Sequence, residues 1–232
     1  LENLKLELQK YGLDGIYVTN LTNIRYLTGF TGSAGSVLIL GHKQYFFTDG
    51  RYIEQSKEQV KHYNIHIVGS AHYLEIAKLN LINDKKLIAL EGDFVSINLF
   101  NSLKQTMPKV SWEFTSGIIE QLAAIKDSSE IDSLKTAIEI TDEVFTQIIP
   151  ELKIGAVERE ISAKISYLCK QNGADGDSYE SIIASGHLGA LPHARPSNKQ
   201  FETGDFVVMD FGALYNGYHA DMTRTVVIGK AT

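Results

Sequence analysis

The sequence predicts an α/β domain, a mixed sheet flanked by helices, over residues 1–120, followed by an α+β region over 121–232. Three observations carry this expectation. Segments with helix and strand periodicity alternate through the first half of the chain. A capping-box pair, Asp127 and Glu130, then opens a long amphipathic run. From Tyr179 onward short strand-like segments and turns take over, with a hairpin signal at Asn216-Gly217.

Residues 2–11 read as a helix, although Leu4, Leu6 and Leu8 are too irregular for a clean apolar stripe. Residues 15–19, GIYVT, read as a buried strand. Residues 36–40 and 44–48 flank Gly41-His42-Lys43 and predict a hairpin. Asp49 or Gly50 opens a helix that runs to about Val60. Residues 64–68, 86–90 and 110–114 read as further strands with helices between them. The boundary with the second region falls near 118–127, and we place it at 120/121. In the second region Ile131, Leu134, Ile138, Val144, Phe145 and Ile148 mark the apolar side of a long helix closed by Pro150 and Gly155. Another helix, Val157 to Asn172, stops at Asn172-Gly173.

Bulk composition narrows the function classes. The chain has 232 residues, 44% of them hydrophobic and 22% charged, with a formal net charge of −6. It lacks the clustered basic face that nucleic acid or an anionic membrane requires. The longest aliphatic run, Val37 to Leu40, is too short to span a bilayer, and the N-terminal residues do not read as a signal peptide. The lone cysteine, Cys169, forms no internal disulfide, which fits a reducing compartment; we expect the cytoplasm.

The hairpin holds the most chemical stretch, VVMDFGALYNGYHADMTRTVVIG. With Asn216-Gly217 as a two-residue type I′ turn, Asp210 falls opposite Thr223 and Asp221 opposite Gly212. Period-two alternation then puts Asp210, Asp221 and Thr223 on one face, with the two carboxylates as diagonal neighbours. Such a pair repels itself unless a cation or a proton intervenes, and hard divalent ions take oxygens of this kind. The competing reading is an exposed ribbon face with solvated aspartates, and a bulge would break the register. His193 lies between two prolines in LPHARP, which stiffen its backbone; a lone loop histidine can equally be polar surface. Other candidates fail on context. His62 and His66 have i, i+4 spacing but sit on a predicted strand, GFTGSAG precedes a strand, Asp210-Phe211-Gly212 has no kinase catalytic loop before it, and Cys169 falls on the apolar side of a helix.

Taken together, YESIIASG, LPHARP and the hairpin stretch resemble the Xaa-Pro aminopeptidase and prolidase family, the pita-bread metallopeptidases that include creatinase. TNIRYLTGFTGS (22–33) and FTDGRY (47–52) resemble the N-terminal domain of those enzymes, and AAIKDSSEIDSLKTA (123–137) their linker and first catalytic helix. The resemblance implies that 121–232 is the first half of an α+β pita-bread catalytic domain. It implies a site of two divalent ions (Mn, possibly Co or Zn) held by five ligands, of which Asp210 and Asp221 match the first two. It implies that His193 hydrogen-bonds the substrate or the tetrahedral intermediate, and that Thr223 supports the ligands from behind. It further implies peptides with proline at the second position as substrates and a homo-oligomer in which the N-terminal domain limits access to a neighbouring site. The family's other ligands, a histidine and two glutamates, lie C-terminal to this hairpin, so we expect the 232-residue chain to be truncated before them and inactive alone. An incomplete sheet leads us to expect self-association or disorder in the second region. An Xaa-Pro dipeptidase, a metal-independent creatinase-like hydrolase and a non-catalytic pita-bread-derived binding protein stand as alternatives.

Overall fold

The computed structural model describes residues 1–82 and 86–230. The chain divides into two units, Leu1–Ile125 and Lys126–Thr232.

The first unit runs α1 (Glu2–Lys10), β1 (Gly15–Val18), α2 (Leu21–Thr28), β2 (Ser36–Leu40), β3 (Lys43–Thr48), α3 (Ile53–Gln59), β4 (Asn64–Ile67), α4 (His72–Lys78), β5 (Leu87–Glu91), α5 (Ile97–Thr106), β6 (Ser111–Thr115) and α6 (Ile118–Ala123). Its sheet has the order β4-β3-β2-β1-β5-β6, antiparallel at β1/β2 and β2/β3 and parallel elsewhere. The predicted mixed sheet flanked by helices is therefore present. Alternate residues feed two cores. Ile16, Val18 and Ile39 pack with Leu4, Leu8 and Ile119 on one face, while Tyr17, Leu38 and Leu90 pack with Ile76 and Leu103 on the other.

Three local readings change. In α1, Leu4 and Leu8 are buried at i, i+4 spacing and Leu6 is 55% exposed, which resolves the irregular stripe. The β2–β3 turn is only Gly41-His42, because Lys43 already pairs with Leu40. The helix expected from Asp49 starts as a 3₁₀ turn, Gly50–Tyr52, with the Asp49 carboxylate accepting from the Arg51 N–H at 3.0 Å; α3 follows. Two helices escape the sequence reading. α2 is capped by Asn20, which accepts from the Thr22 N–H, and ends at left-handed Gly29; α6 is a short helix of six residues.

The second unit contains α7 (Ser128–Ile148), α8 (Glu158–Gln171), β7 (Gly176–Asp177), β8 (Ile182–Ser185), β9 (Phe206–Phe211), β10 (Ala213–Tyr215), β11 (Tyr218–His219) and β12 (Met222–Val227). The expected capping box opens α7, with the Asp127 carboxylate accepting from the Ser129 and Glu130 amides and Glu130 accepting from the Asp127 amide. Its buried side is not the one expected. Val144 and Ile148 are buried, but Ile131 and Ile138 are 42% and 50% exposed; Ser133, Ala137, Ile140 and Thr141 complete the inner side. Small residues there let the helix sit close to the sheet, and Thr141 Oγ1 accepts from the Ala213 N–H at 3.0 Å. α8 ends as expected, at Asn172 followed by positive-φ Gly173.

The strands form two three-stranded sheets, β12-β9-β8 and β11-β10-β7. Val207, Met209 and Phe211 of β9 point into a core shared with α7 and α8, which leaves Val208 and Asp210 half-buried on the opposite face. The hairpin passes from one sheet to the other at Gly212. A Cβ built on Gly212 would lie 1.8 Å from the Ala220 carbonyl oxygen, so no other residue fits without moving the backbone. Gly212→Ala is therefore expected to destabilise the second unit by more than about 3 kcal/mol in denaturant unfolding; a cost near that of an exposed strand alanine would show that the bend is not tight.

Candidate metal centre

The hairpin begins with its tip. Asn216 and Gly217 have φ of 50° and 83°, the positive pair a type I′ turn needs. Tyr215 pairs with Tyr218, and beyond the bend Asp210 pairs with Thr223 without a bulge. The tip is anchored to its own unit. The Asn216 N–H donates to Asp175 Oδ2 at 2.8 Å, and the Tyr218 hydroxyl donates to Glu130 Oε1 at 2.7 Å.

Asp210 lies on the central strand β9, opposite Thr223 of β12 on one side and Ile182 of β8 on the other. Asp221 lies at the bend, across from Gly212, with neither residue in a strand. The bend is laced by Ser178. Its N–H donates to the Gly212 carbonyl at 2.8 Å, and its hydroxyl sits between the carbonyls of Ala213 and Ala220, at 2.9 and 2.7 Å. The next residue, Tyr179, is thereby aimed at the hairpin face. Its hydroxyl lies 2.7 Å from Asp210 Oδ1 and 2.8 Å from Asp221 Oδ1. The two carboxylates thus converge on one oxygen and on one face.

A single phenolic proton cannot fully satisfy two carboxylate oxygens. Burial, reinforced by these two hydrogen bonds, pushes the Tyr179 phenol well above the usual tyrosine range and keeps it neutral. The Oδ2 atoms of Asp210 and Asp221 make no hydrogen bond among the described residues. Asp210 is half-buried and Asp221 exposed. Unspent carboxylate oxygens grouped in this way are the donors a hard divalent ion takes, so the chemistry of the pair fits one. Among the described residues, no group of three or more His, Cys, Asp or Glu side chains is placed to hold a metal ion.

The other site candidates are placed differently. The Thr223 hydroxyl makes no hydrogen bond among the described residues; the group bonded to the aspartates is Tyr179, which sequence reading missed. No spacing marks it, because its partners lie 31 and 42 residues away. His193 occupies an exposed turn in which the Ala194 N–H donates to the Leu191 carbonyl, and its imidazole makes no hydrogen bond among the described residues. Its segment is tied toward Tyr179 by an ion pair between Arg195 and Glu180. His62 has φ of 67° and His66 lies in β4, so they share no helical face. Cys169 is buried, and burial pushes its thiol up to about 11, with Asp177 adding to the shift.

Because the phenol ionises later in the folded chain than at the usual value near 10, stability falls as pH rises past about 10. Tyr179→Phe is expected to lower stability by about 1–3 kcal/mol at neutral pH, the size of a hydrogen bond to a charged group, and to shrink that alkaline loss. Urea unfolding at pH 7 and pH 11 reads both effects. Unchanged values at both would show that the phenol does not bridge the carboxylates.

Residues 1–125 match the creatinase/prolidase N-terminal domain, and residues 132–232 match metallopeptidase family M24. An uncharacterized peptidase of Bacillus subtilis, YqhT, is 37% identical over 99% of this chain and 65% of its own length. A solved Xaa-Pro dipeptidase from Bacillus anthracis superposes with a TM-score of 0.93 at 37% identity, over all of this chain and 65% of that one. An X-Pro aminopeptidase from Thermotoga maritima gives 0.88 at 33% identity, over 95% of this chain and 64% of that one. The chain spans about 65% of the length of such relatives, and it pairs the N-terminal domain with part of the pita-bread catalytic domain. It belongs to the prolidase and Xaa-Pro peptidase family, the M24 metallopeptidases that carry a creatinase/prolidase N-terminal domain.

Proposed function

We propose that the protein to which this chain belongs is a divalent-metal aminopeptidase that hydrolyses the bond between an N-terminal residue and a following proline. The observation that carries the reading is the convergence of Asp210 and Asp221 on the Tyr179 hydroxyl, in a chain of this family. The names of the two solved relatives, one for Xaa-Pro dipeptides and one for X-Pro peptides, support the proline requirement. A dipeptidase is the second reading. It is favoured by the 37% identity with the Bacillus anthracis dipeptidase across the whole of this chain.

Each residue has a role in this proposal. Asp210 and Asp221 would hold the ions, manganese in our reading, through their Oδ2 oxygens, which take no hydrogen bond among the described residues. Bound ions of this kind supply a water acidic enough to act as nucleophile near neutral pH and polarise the scissile carbonyl. Tyr179, neutral and half-buried, keeps the two carboxylates turned toward each other. Thr223, opposite Asp210 in the ladder, fixes the backbone register that presents the acid. His193, on its exposed turn, has an imidazole with no hydrogen bond among the described residues. It is available to hydrogen-bond a substrate carbonyl as negative charge develops there, a contribution of about 10²–10³-fold in comparable sites. The 232-residue chain by itself offers two carboxylates, and we read it as a weak metal binder without turnover. We further read the protein as a homo-oligomer.

The test uses the full-length protein and the 232-residue chain side by side. With Mn²⁺, the full-length protein is expected to release the first residue of Xaa-Pro-Yaa peptides. Asp210→Asn or Asp221→Asn should reduce turnover to background, and His193→Ala should reduce it by about 10²–10³-fold. The 232-residue chain should bind Mn²⁺ more weakly than micromolar in calorimetry and cleave nothing. Cleavage confined to Xaa-Pro dipeptides would select the second reading, and full activity in Asp210→Asn would overturn both.

A further inference from the structure

Glu158 is the first residue of α8 and is 0% exposed, yet no lysine or arginine pairs with it among the described residues. A buried carboxylate without a counter-ion is costly unless hydrogen bonds replace its water. Glu158 receives four. Oε1 accepts from the backbone N–H and the hydroxyl of Ser185, at 2.7 and 2.8 Å. Oε2 accepts from the backbone N–H and the hydroxyl of Ser197, at 3.0 and 2.7 Å. Burial alone would raise its pKa, but the bonds from Ser197 and Ser185 outweigh burial and hold it below the usual glutamate range.

Ser185 is the last residue of β8, and Ser197 opens the segment that returns toward β9. Between them the chain leaves the sheet through a 3₁₀ turn, Gly186–Ala190, and passes His193 and Arg195. We infer that Glu158 is a positioning residue: one carboxylate grips both ends of the 186–196 excursion and so sets where its histidine stands. Neighbouring backbone bonds support the C-terminal grip. The Arg159 N–H donates to the Ser197 carbonyl and the Glu158 N–H to the Lys199 carbonyl, both at 3.1 Å. Among the described residues no backbone bond from α8 reaches the Ser185 end; the carboxylate links that end to α8, and the ladder with Val207 links it to β9. An apolar residue would fill the same buried space but could not join two chain points that both present donors. Glutamine is isosteric, but its amide nitrogen would face donors at one end and release it.

This inference rests on the proposed role of His193 only for its consequence in turnover. The clamp is read without any activity, so its failure and the failure of the peptidase reading are separate results. The measurement is amide hydrogen exchange in the full-length protein, with the His193 ring signals assigned by loss in His193→Gln. In Glu158→Gln, exchange across 185–197 should accelerate by at least about tenfold while 162–171 of α8 and β12 keep their protection. The His193 ring signals should shift while those of His219, on the hairpin, stay in place. Ser197→Ala, a milder change, should accelerate exchange at the 193–197 end alone. Unchanged exchange in 185–197, or an increase spread equally over α8 and β12, would overturn the inference. If Glu158→Gln does not fold, Ser197→Ala decides, and no local acceleration there overturns it equally.

Discussion

The approach of Gly212 to the Ala220 carbonyl is the constraint on which the candidate site depends. A flat ribbon in this register would leave Asp210 and Asp221 as diagonal neighbours with their backbones about 7–8 Å apart. The ladder instead breaks at Gly212, and the chain passes from one small sheet to another. Ser178 laces that break with one amide and one hydroxyl, and the residue after it delivers a phenol to both acids. Backbone geometry, not side-chain preference, therefore creates the electrostatic situation. Two like charges are brought to one proton, and that proton is shared.

The same logic recurs across the second unit. Polar groups there tie together segments that are distant in sequence, in a layer where burial makes an unpaired group expensive. Thr141 on α7 caps an amide of β10, Glu130 at the start of α7 takes the Tyr218 hydroxyl, and Glu158 at the start of α8 closes the excursion that bears His193. The helices thus do more than cover the sheet. Their N-terminal residues locate the hairpin tip and the histidine-bearing excursion, while the alternate residues Val207, Met209 and Phe211 fasten the sheet to the helix layer. The chemistry is left on the face away from that core.

Legibility in the sequence followed the range of the interaction. The capping box at Asp127 and Glu130 and the turn at Asn216-Gly217 are local, and each was readable from a few residues. The turn alone carried the pairing of Asp210 with Thr223, because an unbulged ladder propagates its register. The apolar side of α7 was misread because its inner side is built from Ser133, Ala137 and Thr141 beside Ile140 and Val144, while Ile131 and Ile138 stay exposed. Periodicity counts large apolar residues and overlooks small ones chosen for close approach. Tyr179 and Glu158 were illegible for a different reason. Each meets its partners only after strands far apart in sequence have been set side by side, and a glutamate in the first turn of a helix ordinarily reads as solvated.

The central claim is that Asp210 and Asp221 open onto one shared cation position. Paramagnetic broadening by Mn²⁺, added at low occupancy to the isotope-labelled 232-residue chain, tests it most directly. The account predicts broadening centred on the amides of Asp210 and Asp221 and on the Tyr179 ring, and its loss from all three in Asp221→Asn. Broadening centred on other carboxylates, or broadening that persists at Asp210 in that variant, would contradict it.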